Sequence, residues 1–117
     1  MQYMCLIYGN EANQTPEQIQ AEMAAYNAFT AMVRDRGAFV SAEALHPTNA
    51  ATTVRVRDGK RVTTDGPFAE TKEQLGGFYI VNCKDLDEAI ELASHIPGAA
   101  SGSIEIRPVV DFSAMPQ

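Results

Sequence analysis

At 117 residues, 45% of them hydrophobic, the chain has the size of one domain, 1–117, with a core that needs no disulfide or metal to hold it. Fifteen acidic against nine basic residues give a net charge of -6, the reverse of the balance a nucleic-acid binder shows, so DNA or RNA binding is not expected. No apolar run reaches membrane-spanning length, and the N-terminus opens on YMCLIY rather than on a basic region followed by a long apolar one. A soluble, cytoplasmic protein is therefore expected.

Tyr3 to Tyr8 is an apolar and aromatic run ending at Gly9-Asn10, the pattern of a strand buried on both faces or at a subunit contact. After a polar loop, Thr15-Pro16-Glu17-Gln18 starts a helix: Thr15 as N-cap, Pro16 in the first helical position, Gln18 in the capping-box position. Ile19, Met23, Tyr26, Phe29 and Val33 follow at helical spacing, and Gly37 after Arg34 and Arg36 is a C-terminal stop. This stripe reads as core packing rather than as a cofactor box.

Phe39 to Leu45 reads as a second strand, broken by His46-Pro47. Thr52 to Arg57 and Lys60 to Thr64 flank Asp58-Gly59 and predict a tight hairpin, in which Val54 and Val56 facing inward would turn Arg55 and Arg57 to the other side. Gly77 to Cys83 is a further apolar strand. Asp85 caps a second helix with Glu88 in the capping-box position, and Ala89, Ile90, Ala93 and Ile96 are its expected apolar face up to Pro97-Gly98. Ser103 to Val110 alternates as a last strand, and the tail Asp111 to Gln117 shows no pattern.

The order is strand, helix, strand, hairpin, strand, helix, strand. With the hairpin set aside it is βαββαβ, an α+β ferredoxin-like fold whose antiparallel sheet carries both helices on one face. Tyr3, Phe39 and Phe78 are too many large apolar residues for two helices to cover, so the other face is expected to meet a second subunit in a homodimer. Cys5 and Cys83 sit in apolar strands without metal spacing and read as buried small hydrophobes. No metal or cofactor motif occurs, so none is expected.

The densest stretch is Asp65 to Phe78, DGPFAETKEQLGGF. Asp-Gly-Pro is a turn in which the Asp65 carboxylate is expected to be held by backbone amides ahead of it, and Gly76-Gly77 leaves room for close approach. The runs ATTVRVRDGK at 51–60, TDGPFAETKEQLGGF at 64–78 and DLDEA at 85–89 resemble the YCII-related proteins of the DGPF type, and the resemblance covers nearly the whole chain. It implies a dimeric α/β barrel in the bacterial cytoplasm, with relatives often encoded near extracytoplasmic-function sigma factors, and no established activity. Shorter relatives are proposed to be enzymes on a His–Asp pair. Asp65 is the counterpart of the motif aspartate, but the helix histidine is missing between Pro16 and Gly37.

Two functions from different classes fit these residues. One is a dimeric module binding a small ligand or a protein of the sigma-factor pathway, with the 65–78 stretch as a clasp or contact. The other is an acid–base enzyme in which Asp65 is base or orienter and His46 shuttles the proton, imidazole titrating near neutral pH. There Arg55, helped by Glu70 and Lys72, would hold an anionic small molecule. His95, near the end of the second helix, reads as structural.

Overall fold

The computed structural model describes residues 1–114. Six strands and two helices follow the expected order: β1 (Gln2–Gly9), α1 (Pro16–Asp35), β2 (Phe39–Ala44), β3 (Thr52–Arg57), β4 (Lys60–Asp65), β5 (Gln74–Asn82), α2 (Leu86–Ala93) and β6 (Ser103–Pro108). Short 3-10 turns occupy Thr48–Ala50, Pro97–Ala99 and Phe112–Ala114. Of the tail expected to lack pattern, residues 115–117 lie outside the described residues.

Local chemistry sets the element ends. Thr15 accepts from the backbone N–H of Gln18 at 3.2 Å while the Gln18 side chain accepts from the Thr15 N–H at 2.9 Å, a complete capping box. Gly37 after α1 takes φ 71°, the left-handed stop that glycine favours. At the hairpin tip Asp58 and Gly59 have φ 53° and 72°, both positive as a two-residue type I′ turn requires. Asp85 caps α2 by accepting from Glu88 N–H at 2.9 Å, but the Glu88 side chain reaches the N–H of Lys84 rather than that of the cap residue.

The main sheet has strand order β2-β5-β1-β6, all neighbours antiparallel, which is the ferredoxin-like α+β arrangement. On the helix-covered face Cys5 stands opposite Tyr79 and Ile106, and Tyr3 opposite Val81. These residues form one core with Phe29, Val33, Ala89, Leu92, Ala93 and Ile96. Tyr79 is its aromatic centre: Phe29 meets it edge-on at 5.0 Å, Tyr26 stacks at 6.5 Å, and its hydroxyl lies 2.7 Å from Thr30 Oγ1.

Several expectations are corrected in detail. Strand β5 begins at Gln74, so the Gly76-Gly77 pair lies inside it. The register slips between Ile7 and Tyr8, leaving Gly76 without an opposite residue on β1, a bulge. Tyr3 and Phe39 do lie on the helix-covered face; the open face carries Met4, Leu6, Phe78 and Ile80, all half-buried. On α2 the buried face is Ala89, Leu92, Ala93 and, just beyond, Ile96, while Ile90 points outward and the helix ends at Ala93, short of Pro97. Cys5 and Cys83 are both free thiols within the core.

The β3–β4 hairpin forms its own two-stranded sheet and joins no strand of the main one. Val54 and Val56 are therefore not turned inward; they are 58% and 62% exposed, because a free ribbon has no inside. Pairing of Thr52 with Asp65, Val54 with Thr63 and Arg55 with Val62 fixes its two faces. Among the described residues no helix is long and apolar enough to cross a membrane.

Candidate functional site

Helix α1 is two different surfaces end to end. Phe29 and Val33 are buried and Tyr26 is half-buried, yet residues 16–25 are all exposed, so Ile19 and Met23 leave the core although they continue its stripe. They line a cleft of about 1110 Å³ between the first half of α1, the end of β1 with its following loop, and the facing ends of β2 and β5. Ile7, Tyr26, Tyr79 and Pro97 contribute to its lining, and the charged residues that line it are Glu11, Glu22 and Glu43, with no lysine, arginine or histidine.

Hydrogen bonds fix the polar groups of this cleft. Glu11 accepts from both the N–H and the hydroxyl of Thr48, at 2.9 and 2.7 Å, tying the loop after β1 to the turn before the arm. Glu22 accepts from Gln14 at 2.9 Å. The hydroxyl of Tyr26 accepts from the N–H of Gly98 at 3.2 Å, which leaves its own proton free to be donated. Burial, foremost, raises the Tyr26 pKa above its ordinary value, so the group is a neutral phenol at physiological pH. Glycine leaves it room: a Cβ at position 98 would stand 2.8 Å from the Tyr26 oxygen and 3.0 Å from Ile7 Cγ2, so one of these side chains would have to shift.

Of the stretch 65–78, only its end, Gln74, Gly76, Gly77 and Phe78, lines this cleft; Asp65, His46, Arg55, Glu70 and Lys72 do not. Asp65 closes the base of the hairpin and is exposed, and its carboxylate has no hydrogen-bond or ion-pair partner among the described residues. The turn is held instead by Gly66 N–H on Ala51 O at 2.8 Å and by Thr53 Oγ1 on Gly66 O at 2.8 Å. The expected clamp of Asp65 on its own turn amides is thus absent, because Gly66, at φ 102°, turns its N–H across the ribbon. Arg55 lies on the opposite face of the ribbon from Asp65, its guanidinium carbon 5.1 Å from the centre of the Phe68 ring. His46 is exposed after β2, and Glu70 and Lys72 are exposed in the 66–73 loop with no ion pair to each other. His95 pairs with Glu91 at 3.6 Å, and Glu91 also accepts two bonds from Arg36, at 2.7 and 3.2 Å.

The residues that build the cleft were missed because they come from five separate stretches of the chain, within 7–14, 18–27, 42–44, 74–79 and 97–101. The available signal was the composition of α1, whose first half carries Glu17, Gln18, Gln20 and Glu22 around Ile19 and Met23. The core alone does not require that helix to be so long.

A family model for the YCII-related domain matches residues 1–113. The chain belongs to the YCII-related family. A stretch of 67 residues is 51% identical to an uncharacterized protein of Rhizobium meliloti (strain 1021), covering 56% of this chain and 54% of that protein. The chain thus matches about half the length of this curated relative. Nothing in that name assigns an activity, so the function of this YCII-related chain has to come from its own geometry.

Proposed function

We propose that this YCII-related chain is a dimeric binding module that takes a small amphipathic ligand in the α1 cleft. What supports it above all is Ile19 and Met23, large apolar side chains 45% and 60% exposed that look into a cavity of ligand size. The acidic lining favours a neutral or cationic molecule, and the Tyr26 hydroxyl supplies a fixed donor for a ligand oxygen. A second copy would cover Met4, Leu6, Phe78 and Ile80 on the open sheet face. Within the sigma-factor setting that the resemblance implies, the loaded dimer would be the form that meets a protein partner.

A thermal-shift screen of small cations, neutral molecules and anions tests this reading, with Met23→Trp as the control that fills the cleft. Ligands that stabilise the wild type and not the variant support it. Equal shifts in both, or none in a library of all three charge types, would overturn it. The second reading, an acid–base enzyme, rests on the unpartnered Asp65 carboxylate with His46 as proton shuttle and Glu70 and Lys72 beside an anionic substrate; Arg55, on the other face of the ribbon, would have no part in it. Its test is a substrate screen in which turnover disappears with Asp65→Asn.

A further inference from the structure

The β3–β4 arm carries a chemistry unlike the rest of the chain. Four of the nine basic residues, Arg55, Arg57, Lys60 and Arg61, lie on residues 52–65 against two acidic ones, Asp58 and Asp65, so the arm has a net charge of +2. The remaining residues hold five basic and thirteen acidic side chains, a net of -8. The arm is also apolar: Val54, Val56 and Val62 are 58%, 62% and 48% exposed, and Phe68 at its base is 74% exposed.

Such a ribbon is not self-sufficient. A lone two-stranded hairpin is marginal in water, and β-branched side chains gain from a strand only when something packs on them. Here every residue of β4 is exposed, and in β3 only Thr53 is half-buried.

We infer that the β3–β4 arm is an exchange arm that packs on the acidic body of a second copy of this chain, each copy covering the other's arm. The occupant is chosen by charge: a surface of net -8 is what a +2 apolar ribbon meets at every encounter between copies. The outer face of α2 has the matching character, with Leu86 and Ile90 exposed beside Asp87 and Glu88. The inference rests on the dimer in the functional reading and not on its cleft.

Zero-length carbodiimide crosslinking of an equal mixture of 14N- and 15N-labelled full-length chain is the test. Lys60 is the one lysine on the arm, so a mixed-isotope peptide joining Lys60 to an Asp or Glu reports an arm seated on another copy. We expect that peptide and a dimer by sedimentation, with the peptide lost and the dimer weakened in Val54→Asp/Val56→Asp, whose circular dichroism stays unchanged because both positions are outside the core. Arg55→Glu/Arg57→Glu should weaken the dimer at least about tenfold at low salt and less at high salt. A dimer with no mixed Lys60 peptide, and unaffected by the valine pair, would overturn the arm while leaving dimerisation by the sheet face intact. A monomer at 100 µM that is retained on heparin would instead assign the arm to a polyanion and overturn the inference, as would crosslinks within single copies only.

Discussion

Tyr26 and Gly98 are joined side chain to backbone, the Gly98 N–H donating to the Tyr26 hydroxyl at 3.2 Å, so close that a Cβ at 98 would stand 2.8 Å from that oxygen and push it aside. Gly98→Ala is therefore expected to lose about 1 to 2 kcal/mol, the crowding outweighing the gain an alanine brings by restricting the unfolded chain. Tyr26→Phe should cost about 1 kcal/mol for the lost bond. In the double variant the alanine should be tolerated better than in the wild type. Denaturant melts of the four proteins measure that coupling, and strict additivity would show that the contact carries no energy.

The two adjacent glycines of β5 make opposite demands. A Cβ on Gly77 would stand 2.7 Å from the backbone oxygen of Glu43 on the neighbouring β2, and backbone cannot swing aside. Gly77→Ala should cost roughly 2 kcal/mol or more. At Gly76 the nearest atom is Ile7 O at 3.9 Å, an ordinary contact, so Gly76→Ala should be neutral or slightly stabilising. Thermal melts of the two variants should differ by several degrees, and equal melting temperatures would contradict the packing.

Alkaline pH probes the core directly. Burial, with the nearby Cys83 thiol as a lesser cause, pushes the Cys5 pKa up to about 11 from an ordinary 9.0. The unfolded chain then releases this proton at lower pH than the folded one. The stability that neutral Cys5 confers is complete below about pH 9 and is lost as pH rises toward 11, by roughly 2 kcal/mol. The raised pKa values of Cys83 and Tyr26 act in the same sense. Urea melts between pH 8 and 11 should show the decline, and Cys5→Ala should make it shallower.

The division of α1 is open to mutation. Met23→Ser, at a position 60% exposed, should change stability by less than about 0.5 kcal/mol, whereas Phe29→Ala, at a position 5% exposed, should cost about 3 to 5 kcal/mol. Comparable losses at both positions would mean that the stripe is covered along its whole length.

Much of the fold was legible where a few neighbouring residues decide it. Thr15 with Gln18, Asp58 with Gly59, and Asp85 before its helix each encode a boundary by local hydrogen bonds or backbone angles, and the element order then leaves few topologies. Periodicity was less informative, because it says which residues share a face and not whether anything covers that face. Ile19, Met23 and Ile90 fit their helical stripes yet are exposed, and Val54 and Val56 alternate as a buried strand would on a ribbon that has no core. The cleft was illegible for another reason. Tyr26 meets Gly98 across 72 positions, and Glu11 meets Thr48 across 37, contacts that only the closed fold creates. The Asp65 stretch drew attention through its turn chemistry, and its place at the base of the arm follows from Gly66 bonding back to Ala51.

The uneven burial of α1 sets a gradient in how its amides are guarded. Its last three turns are pinned by Phe29 and Val33, so their protons should exchange with solvent far more slowly than those of the first turns, which are held by the capping box and the Gln14–Glu22 bond. One continuous helix thus contains a buried half and an exposed half, and the exposed half is a wall of the cleft. In the proposed binding role, the wall beside the ligand would be the half of α1 that can loosen at least cost to the core beneath Tyr79.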